Sequence, residues 1–284
     1  MSIKKEIVQQ IELTKLLPFP DHPFAVRDDE IMQETVESIS KYGVLVPAIA
    51  RPLPDGNYEL ISGHRRKNAC DRAGYKTMPV IVRDLDDDAA TIMMVDSNLQ
   101  RENILPSEKA KAYKMKLEAI KRQGARTDLT STQFAQKLSV EQVAEQAGAS
   151  KDQVRRYIRL TELKPELQQM VDEGKMGMTP AVELSYLNED EQAIVLTALE
   201  SEQAAPSLSQ AKRIRKLSEE KTLTDDSVLQ IMSEQKKPEN KNLSFSVEKI
   251  RKYFPKSYTP RQMEDKILDL LEKYLRKRQR EAAR

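Results

Sequence analysis

Residues 59–69 read Glu-Leu-Ile-Ser-Gly-His-Arg-Arg-Lys-Asn-Ala. A short apolar strand, a glycine and two adjacent arginines stand where a helix is expected to begin, and this combination suits an anion. The first N–H groups of a helix have no intrahelical partner, and the helix dipole favours negative charge there. Arg65 and Arg66 would add charge-assisted hydrogen bonds to a site already disposed toward phosphate. Cations at a helix N-terminus oppose the dipole, which is itself a reason to look for a bound anion. A second constellation spans residues 139–160 and has the pattern two helices need to cross closely through a tight turn. Ala144 is small enough for close approach, Gly148 stands where the first helix must end left-handed, and Val154 and Ile158 fall on the core side. Ser150 would cap the second helix. Lys151, Asp152, Gln153, Arg155, Arg156 and Arg159 then lie on or near its exposed side, with side chains that serve base edges and phosphates of double-stranded DNA.

These groups need elements to hold them, and 284 residues suffice for two or three domains. The net charge of +2 conceals a charged fraction of 32%, so partners must be sought in local clusters rather than in total charge. A single cysteine, Cys70, excludes an intramolecular disulfide framework, and two histidines, His22 and His64, leave little for a metal cluster. The first ten residues lack an apolar leader segment. The most apolar run, Val44 to Ala50, is short and interrupted by Pro47, so a cytoplasmic protein without membrane insertion is expected.

The first ~100 residues alternate helical and strand periodicity, as an α/β domain does. Asp28 or Asp29 can cap a helix carrying Ile31, Val36 and Ile39 that stops at Gly43. Strands are predicted at Val46 to Pro52 and Tyr58 to Ile61, joined by a hairpin at Asp55-Gly56-Asn57, and again at Met78 to Val82. Helices are predicted from His64 to Ala73 and from Asp86 toward Asn98. From Ser107 helix formers dominate. Lys109 to Gln123 is amphipathic, Gly124 to Gln136 reads as a loop, and two helical pieces lie between Lys164 and Leu199, broken by Gly174, Gly177 and Pro180. The polar stretch from Ser218 to Asn242 reads as a flexible linker. A last helix after Pro260 carries Met263, Ile267, Leu270, Leu271 and Tyr274 as an apolar stripe.

With both motifs identified, the chain resembles the ParB/RepB partition-protein family over residues 5–200. The resemblance rests on Gly43-Val44-Leu45-Val46-Pro47, Gly63-His64-Arg65-Arg66-Lys67-Asn68-Ala69, Asn98-Leu99-Gln100-Arg101-Glu102-Asn103, Pro106 with Glu108-Lys109-Ala110 and Ala112-Tyr113, and the helix-turn-helix. It implies an α+β protein in three parts: a ParB/sulfiredoxin-like α/β domain over 1–105, an all-helical DNA-binding domain over 106–217, and a C-terminal dimerisation segment over 243–284 beyond the 218–242 linker. It further implies a centromere-like DNA site, CTP with Mg²⁺ in the N-terminal domain, closure of a homodimer into a sliding clamp, and a ParA-type ATPase as partner. Carried over by position, Gly63, Arg65 and Arg66 would embrace the triphosphate and Arg101 would support its end. Asn98 would hold the metal, and Gly43, Val44 and Pro47 would line base and ribose. His64 would either touch phosphate or cap the helix start.

Three positions depart from the family pattern: His64 and Ser97 stand where glutamates are usual, and Val46 where a glutamine is usual. A carboxylate missing beside the metal removes a ligand or a group that orients water, so CTP hydrolysis is expected to be slow or absent. Two other functions fit parts of the pattern. One is a DNA-binding regulator or nucleoid-associated protein that kept the fold without nucleotide switching. The other is an enzyme of the related sulfiredoxin-like fold, against which stands Gly63 in the place of that fold's cysteine.

Overall fold

The computed structural model describes residues 7–101, 104–125, 140–234, 250–255 and 257–282. It divides into two units, residues 1–234 and 235–284.

The N-terminal third is built on a five-stranded sheet of order β1-β5-β3-β4-β2, with β1 at Val8–Glu12, β2 at Leu16–Pro18, β3 at Ala48–Pro52, β4 at Tyr58–Ser62 and β5 at Thr77–Val82. The sheet is mixed. β1–β5 and β3–β4 are antiparallel, whereas β2–β4 and β3–β5 are parallel. The expected hairpin joins β3 to β4: Asp55 Oδ1 accepts from Asn57 N at 3.0 Å, and Gly56 supplies the positive φ the turn needs. Strands β1 and β2, absent from the sequence reading, form the two edges. β1 buries Ile11 and exposes its other four residues, so it carries no clear apolar alternation, and β2 is three residues long.

Helix α1, Glu30–Tyr42, is capped by Asp29, which accepts from Met32 N at 2.9 Å, and stops at Gly43 with φ +71°. Its buried face is Met32 and Ile39 with Val36 beside them. Ile31, expected on that face, is 57% exposed. Helix α2, His64–Arg72, follows β4 directly, and α3, Asp87–Leu99, is capped by Asp86. α3 packs on the long α4, Pro106–Ala125, through two ion pairs that each bury one partner. Lys116, fully buried, pairs with Asp96, and Asp88, also buried, accepts from Arg122 Nε at 2.7 Å. A charge removed from water this completely requires its partner, so the α3–α4 seam tolerates little loss of either member.

Beyond α4, residues 140–146 form α5 and Lys151–Arg159 form α6, and both pack on Tyr113 and Leu117 of α4 through Val140, Val143, Ala144 and Val154. A further core unites α7 (Pro165–Asp172), α8 (Met178–Leu184), α9 (Glu189–Glu202), α10 (Leu208–Glu219) and α11 (Asp225–Ser233). Residues 218–234 are thus folded rather than part of a linker. Val228, Ile231 and Met232 enter the core, and the buried Gln210 side chain donates to the Ile231 carbonyl at 2.7 Å. The polar composition of this stretch misled because only one face of α11 is buried. Most of the loop expected from Gly124 to Gln136, and the expected linker beyond residue 234, lie outside the described residues.

In the second unit, the helix Pro260–Ala282 buries Met263, but Leu270, Leu271 and Tyr274 of the expected stripe remain more than half exposed. An apolar groove beside it is lined by Ile250, Tyr253, Phe254, Pro255, Tyr258 and Ile267.

Candidate nucleotide site and nucleic-acid interface

Gly63 ends β4 and opens α2 with φ +110°. A Cβ there would stand 2.8 Å from the Cβ of Ala48, so only glycine lets the helix entrance meet β3 this closely. Arg65 and Arg66 leave the first turn of α2 in different directions. Arg65 donates to both oxygens of Asp29, at 2.6 and 3.3 Å, which holds the Asp29 carboxyl below the usual carboxylate range. Arg66 donates from Nη1 to the carbonyls of Val46 and Pro47, the latter at 2.7 Å. This is why β3 begins at Ala48 rather than at the expected Val46: the two carbonyls are turned toward a guanidinium instead of a neighbouring strand. The turn from Gly43 to Pro47 is therefore tied to the helix entrance, with Val44 packed into the core and Leu45 and Val46 exposed at 76% and 63%.

Arg101, after the end of α3, completes a cationic cluster. Its proton affinity is lowered by loss of solvent and by the nearby charges of Arg65 and Arg66, and is opposed by Glu108. Guanidiniums remain protonated under such shifts, so three positive charges lie around one entrance. The sequence reading missed Asp29 as the partner of Arg65, because a contact across 36 residues leaves no local signal.

His64 is neither an exposed cap nor turned freely outward. Its Nε2 accepts from Phe19 N at 3.4 Å and its ring lies 4.2 Å from that of His22. Burial, then the adjacent His22 and the cations Arg101 and Lys67, push its pKa down to about 3. His64 is a neutral ring with Nε2 as acceptor, which leaves the proton on Nδ1. His22 packs its ring against that of His64, and its Nδ1 lies 2.8 Å from the Phe24 carbonyl oxygen.

Asn98 is buried in α3. Its Nδ2 donates to the Met94 carbonyl at 2.7 Å, which fixes the amide, and its Oδ1 is a buried acceptor with no hydrogen-bond partner. A hard oxygen with spare lone pairs fits Mg²⁺, which takes few protein ligands when phosphates and waters complete its shell. Ser97 is exposed and its hydroxyl donates back to Met94 O at 2.9 Å, so it brings no charge to this place. Among the described residues no group of three or more His, Cys, Asp or Glu could hold a metal by itself. Cys70 is buried and burial raises its thiol pKa, which makes it a packing residue rather than a nucleophile.

The helix-turn-helix follows the sequence spacing closely. Gly148 takes φ +61°, Ser150 accepts from Gln153 N at 3.1 Å, and Ala144 and Val154 are buried. Lys151, Asp152, Gln153, Arg155 and Arg156 are exposed. Lys151 pairs with Glu141 of α5, Arg155 with Asp152 at 3.6 Å, and Arg156 reaches Thr179 of α8. Arg159 differs from the expected outward group. It donates to the carbonyl and hydroxyl of Ser185 and is partly buried.

The model for the ParB N-terminal domain matches residues 1–99 and that for the ParB HTH domain residues 102–205. Stage 0 sporulation protein J of Bacillus subtilis is 33% identical over 178 residues, covering 63% of this chain and 57% of the relative. The chain spans about half the length of the curated relatives it matches. Two structures of the C-terminally truncated chromosome-partitioning protein ParB of Caulobacter crescentus are similar. The complex with the centromeric parS site is 24% identical with TM-score 0.43, covering 75% of this chain and 99% of that one. The complex with CTP-γ-S is 28% identical with TM-score 0.31, covering 73% and 98%. Among the described residues no helix is long and apolar enough to cross a membrane.

Proposed function

The chain belongs to the ParB family, whose N-terminal and helix-turn-helix domains it carries in order, and on that footing we propose that it is a partition protein. In this reading α6 recognises a specific double-stranded DNA site, and the Gly63 entrance binds CTP with Mg²⁺ in a homodimer that closes as a clamp on DNA. A ParA-type ATPase is its partner. The observation that carries the reading is the pairing, within one compact unit, of a glycine-opened helix entrance ringed by Arg65, Arg66 and Arg101 with a helix-turn-helix whose second helix presents exposed polar and cationic side chains. The backbone N–H groups of α2 and the arginines attract the triphosphate. The Gly43–Pro47 turn, held by Arg66, shapes the base side. Asn98 Oδ1 would hold the metal, which supplies charge neutralisation at the phosphates when bound.

The reading is tested by recovering cellular DNA bound to the intact protein, with and without CTP, and sequencing it. A narrow peak with shoulders that broaden with CTP supports loading and spreading, and a flat profile overturns site recognition. Calorimetry should detect CTP in preference to ATP and GTP, Arg65→Ala should abolish that signal, and Ser97→Glu should raise phosphate release without being needed for binding. A second reading, a DNA-binding regulator without nucleotide switching, is favoured by one observation. Arg65 and Arg66 already spend hydrogen bonds on Asp29 and on the Val46 and Pro47 carbonyls. A CTP-independent DNA profile together with a silent titration would select it.

A further inference from the structure

Arg159 closes α6, and its side chain runs along the protein. Nε donates to Ser185 Oγ at 3.2 Å, Nη2 donates to the Ser185 carbonyl, and Cζ stands 4.1 Å from the centroid of the Tyr186 ring. Arg215 of α10 meets the same ring at 3.8 Å. Arg215 is held in place by Glu183 at 3.0 Å and by Glu219 at 2.8 Å. One tyrosine, in the turn after α8, therefore links the last residue of α6 to α10. Two guanidiniums would repel across so short a span. The electron-rich faces of the ring and the two carboxylates offset that repulsion, and planar guanidiniums stack where an ammonium would not.

α6 is nine residues long and is anchored at its start by the Gly148 turn and the Ser150 cap, and in its middle by the buried Val154. At its far end Tyr157 and Ile158 are only partly buried, and the fully buried Leu160 follows the last residue of the helix. The polar ties of Arg156 to Thr179 and of Arg159 to Ser185 and Tyr186 add to the apolar anchor of Leu160 and fix the last turn laterally. We propose that Tyr186 is a positioning residue for DNA reading: its stack with Arg159 and Arg215 sets the angle at which α6 is presented. This rests on the reading above that α6 reads DNA. Base contacts require side chains held to within a fraction of an ångström, so a helix whose last turn has lost these polar ties would bind DNA with less discrimination between sequences.

The test uses the full chain and a duplex that the wild-type protein selects from a randomised pool, with a scrambled duplex as reference. Tyr186→Leu keeps bulk and removes the stack, and should lower the ratio of selected to scrambled affinity about tenfold, whereas Tyr186→Phe keeps the ring and should stay within about twofold of wild type. Amide hydrogen exchange is measured in parallel without DNA. The Leu variant should exchange faster in the last turn of α6 and at wild-type rates in α9 and α11. Wild-type discrimination by the Leu variant overturns the inference, as does faster exchange throughout the unit, which would make Tyr186 a structural residue. If the wild type selects no duplex, the DNA reading itself fails. The exchange data then bear only on the attachment of α6: unchanged protection overturns a positioning role for Tyr186, and selective loss there keeps that role while its link to DNA falls.

Discussion

A single oxygen of Asp29 serves two helices. Oδ1 accepts from Met32 N at 2.9 Å as the cap of α1 and from Arg65 Nη2 at 2.6 Å in the first turn of α2. The entrance of α2 thus already holds a carboxylate on one of its arginines. Under the proposed function, a phosphate bound there would share Arg65 with Asp29 or displace it.

Asp29→Asn removes the competing charge and keeps an oxygen able to cap α1. The pair is partly exposed, so its release should tighten triphosphate binding only up to about fivefold, as partly solvated ion pairs are worth little. Calorimetric titration with CTP measures this. Weaker binding in the variant would show that Asp29 organises the site rather than competing for it.

Acidification should destabilise the N-terminal domain above the range where carboxylates titrate. His64 is neutral in the folded protein with its pKa near 3, and His22 is lowered in the same sense, chiefly by burial. Unfolded histidines take up protons near pH 6.5, so between pH 6.5 and 5 the unfolded state binds more protons and stability falls with pH. The slope is at most about 1.4 kcal/mol per pH unit for each histidine. Urea unfolding at pH 7 and pH 5 should show the loss, and His64→Gln should shrink it. An unchanged pH slope in that variant would assign the effect to His22 alone.

Gly63→Ala and Gly56→Ala separate crowding from backbone strain. Both glycines have positive φ, but a Cβ at Gly56 meets nothing within 4 Å, whereas one at Gly63 meets Ala48. The Gly56 variant should lose on the order of 1–2 kcal/mol and the Gly63 variant roughly 2–5 kcal/mol. Thermal midpoints compare the two. Equal losses would mean that β3 yields to the added methyl group.

Ending the chain at Leu217 should unravel the helical core, while ending it at Glu234 should not. Burial of Val228, Ile231 and Met232 contributes on the order of 5 kcal/mol before the entropy of ordering α11. Circular dichroism on heating distinguishes the two truncations. Light scattering of the chain ending at Glu234 should also report a monomer at micromolar concentration, because the exposed Leu270, Leu271 and Tyr274 leave with the last helix. A persistent dimer would place the main contact within residues 1–234.

What could be read from the sequence was local chemistry. The Gly43 stop, the Asp55–Asn57 hairpin and the Ala144, Gly148, Ser150 and Val154 spacing each depend on residues a few positions apart, and each occupies its expected place. What could not be read were partners distant in the chain. Asp29 with Arg65, His22 with His64, Arg66 with the Val46 and Pro47 carbonyls, and Ser185 and Tyr186 with Arg159 all bind side chains whose types alone would suit solvent or ligand equally well. The edge strands β1 and β2 escaped for the same reason, since their pairing is with β5 and β4 and little in their own pattern announces it.

The order of the sheet has a consequence for biosynthesis. β1 is made first and pairs with β5, which is made last, and each parallel pair also spans an intervening helix or hairpin. A chain leaving the ribosome therefore exposes Val8–Glu12 as an unpartnered strand until Thr77–Val82 has emerged, several seconds at about 5–20 residues per second. During that interval the nascent sheet cannot close. Synonymous codon changes that slow translation between β4 and β5 should lengthen the exposure and lower soluble yield, with no change in the finished protein.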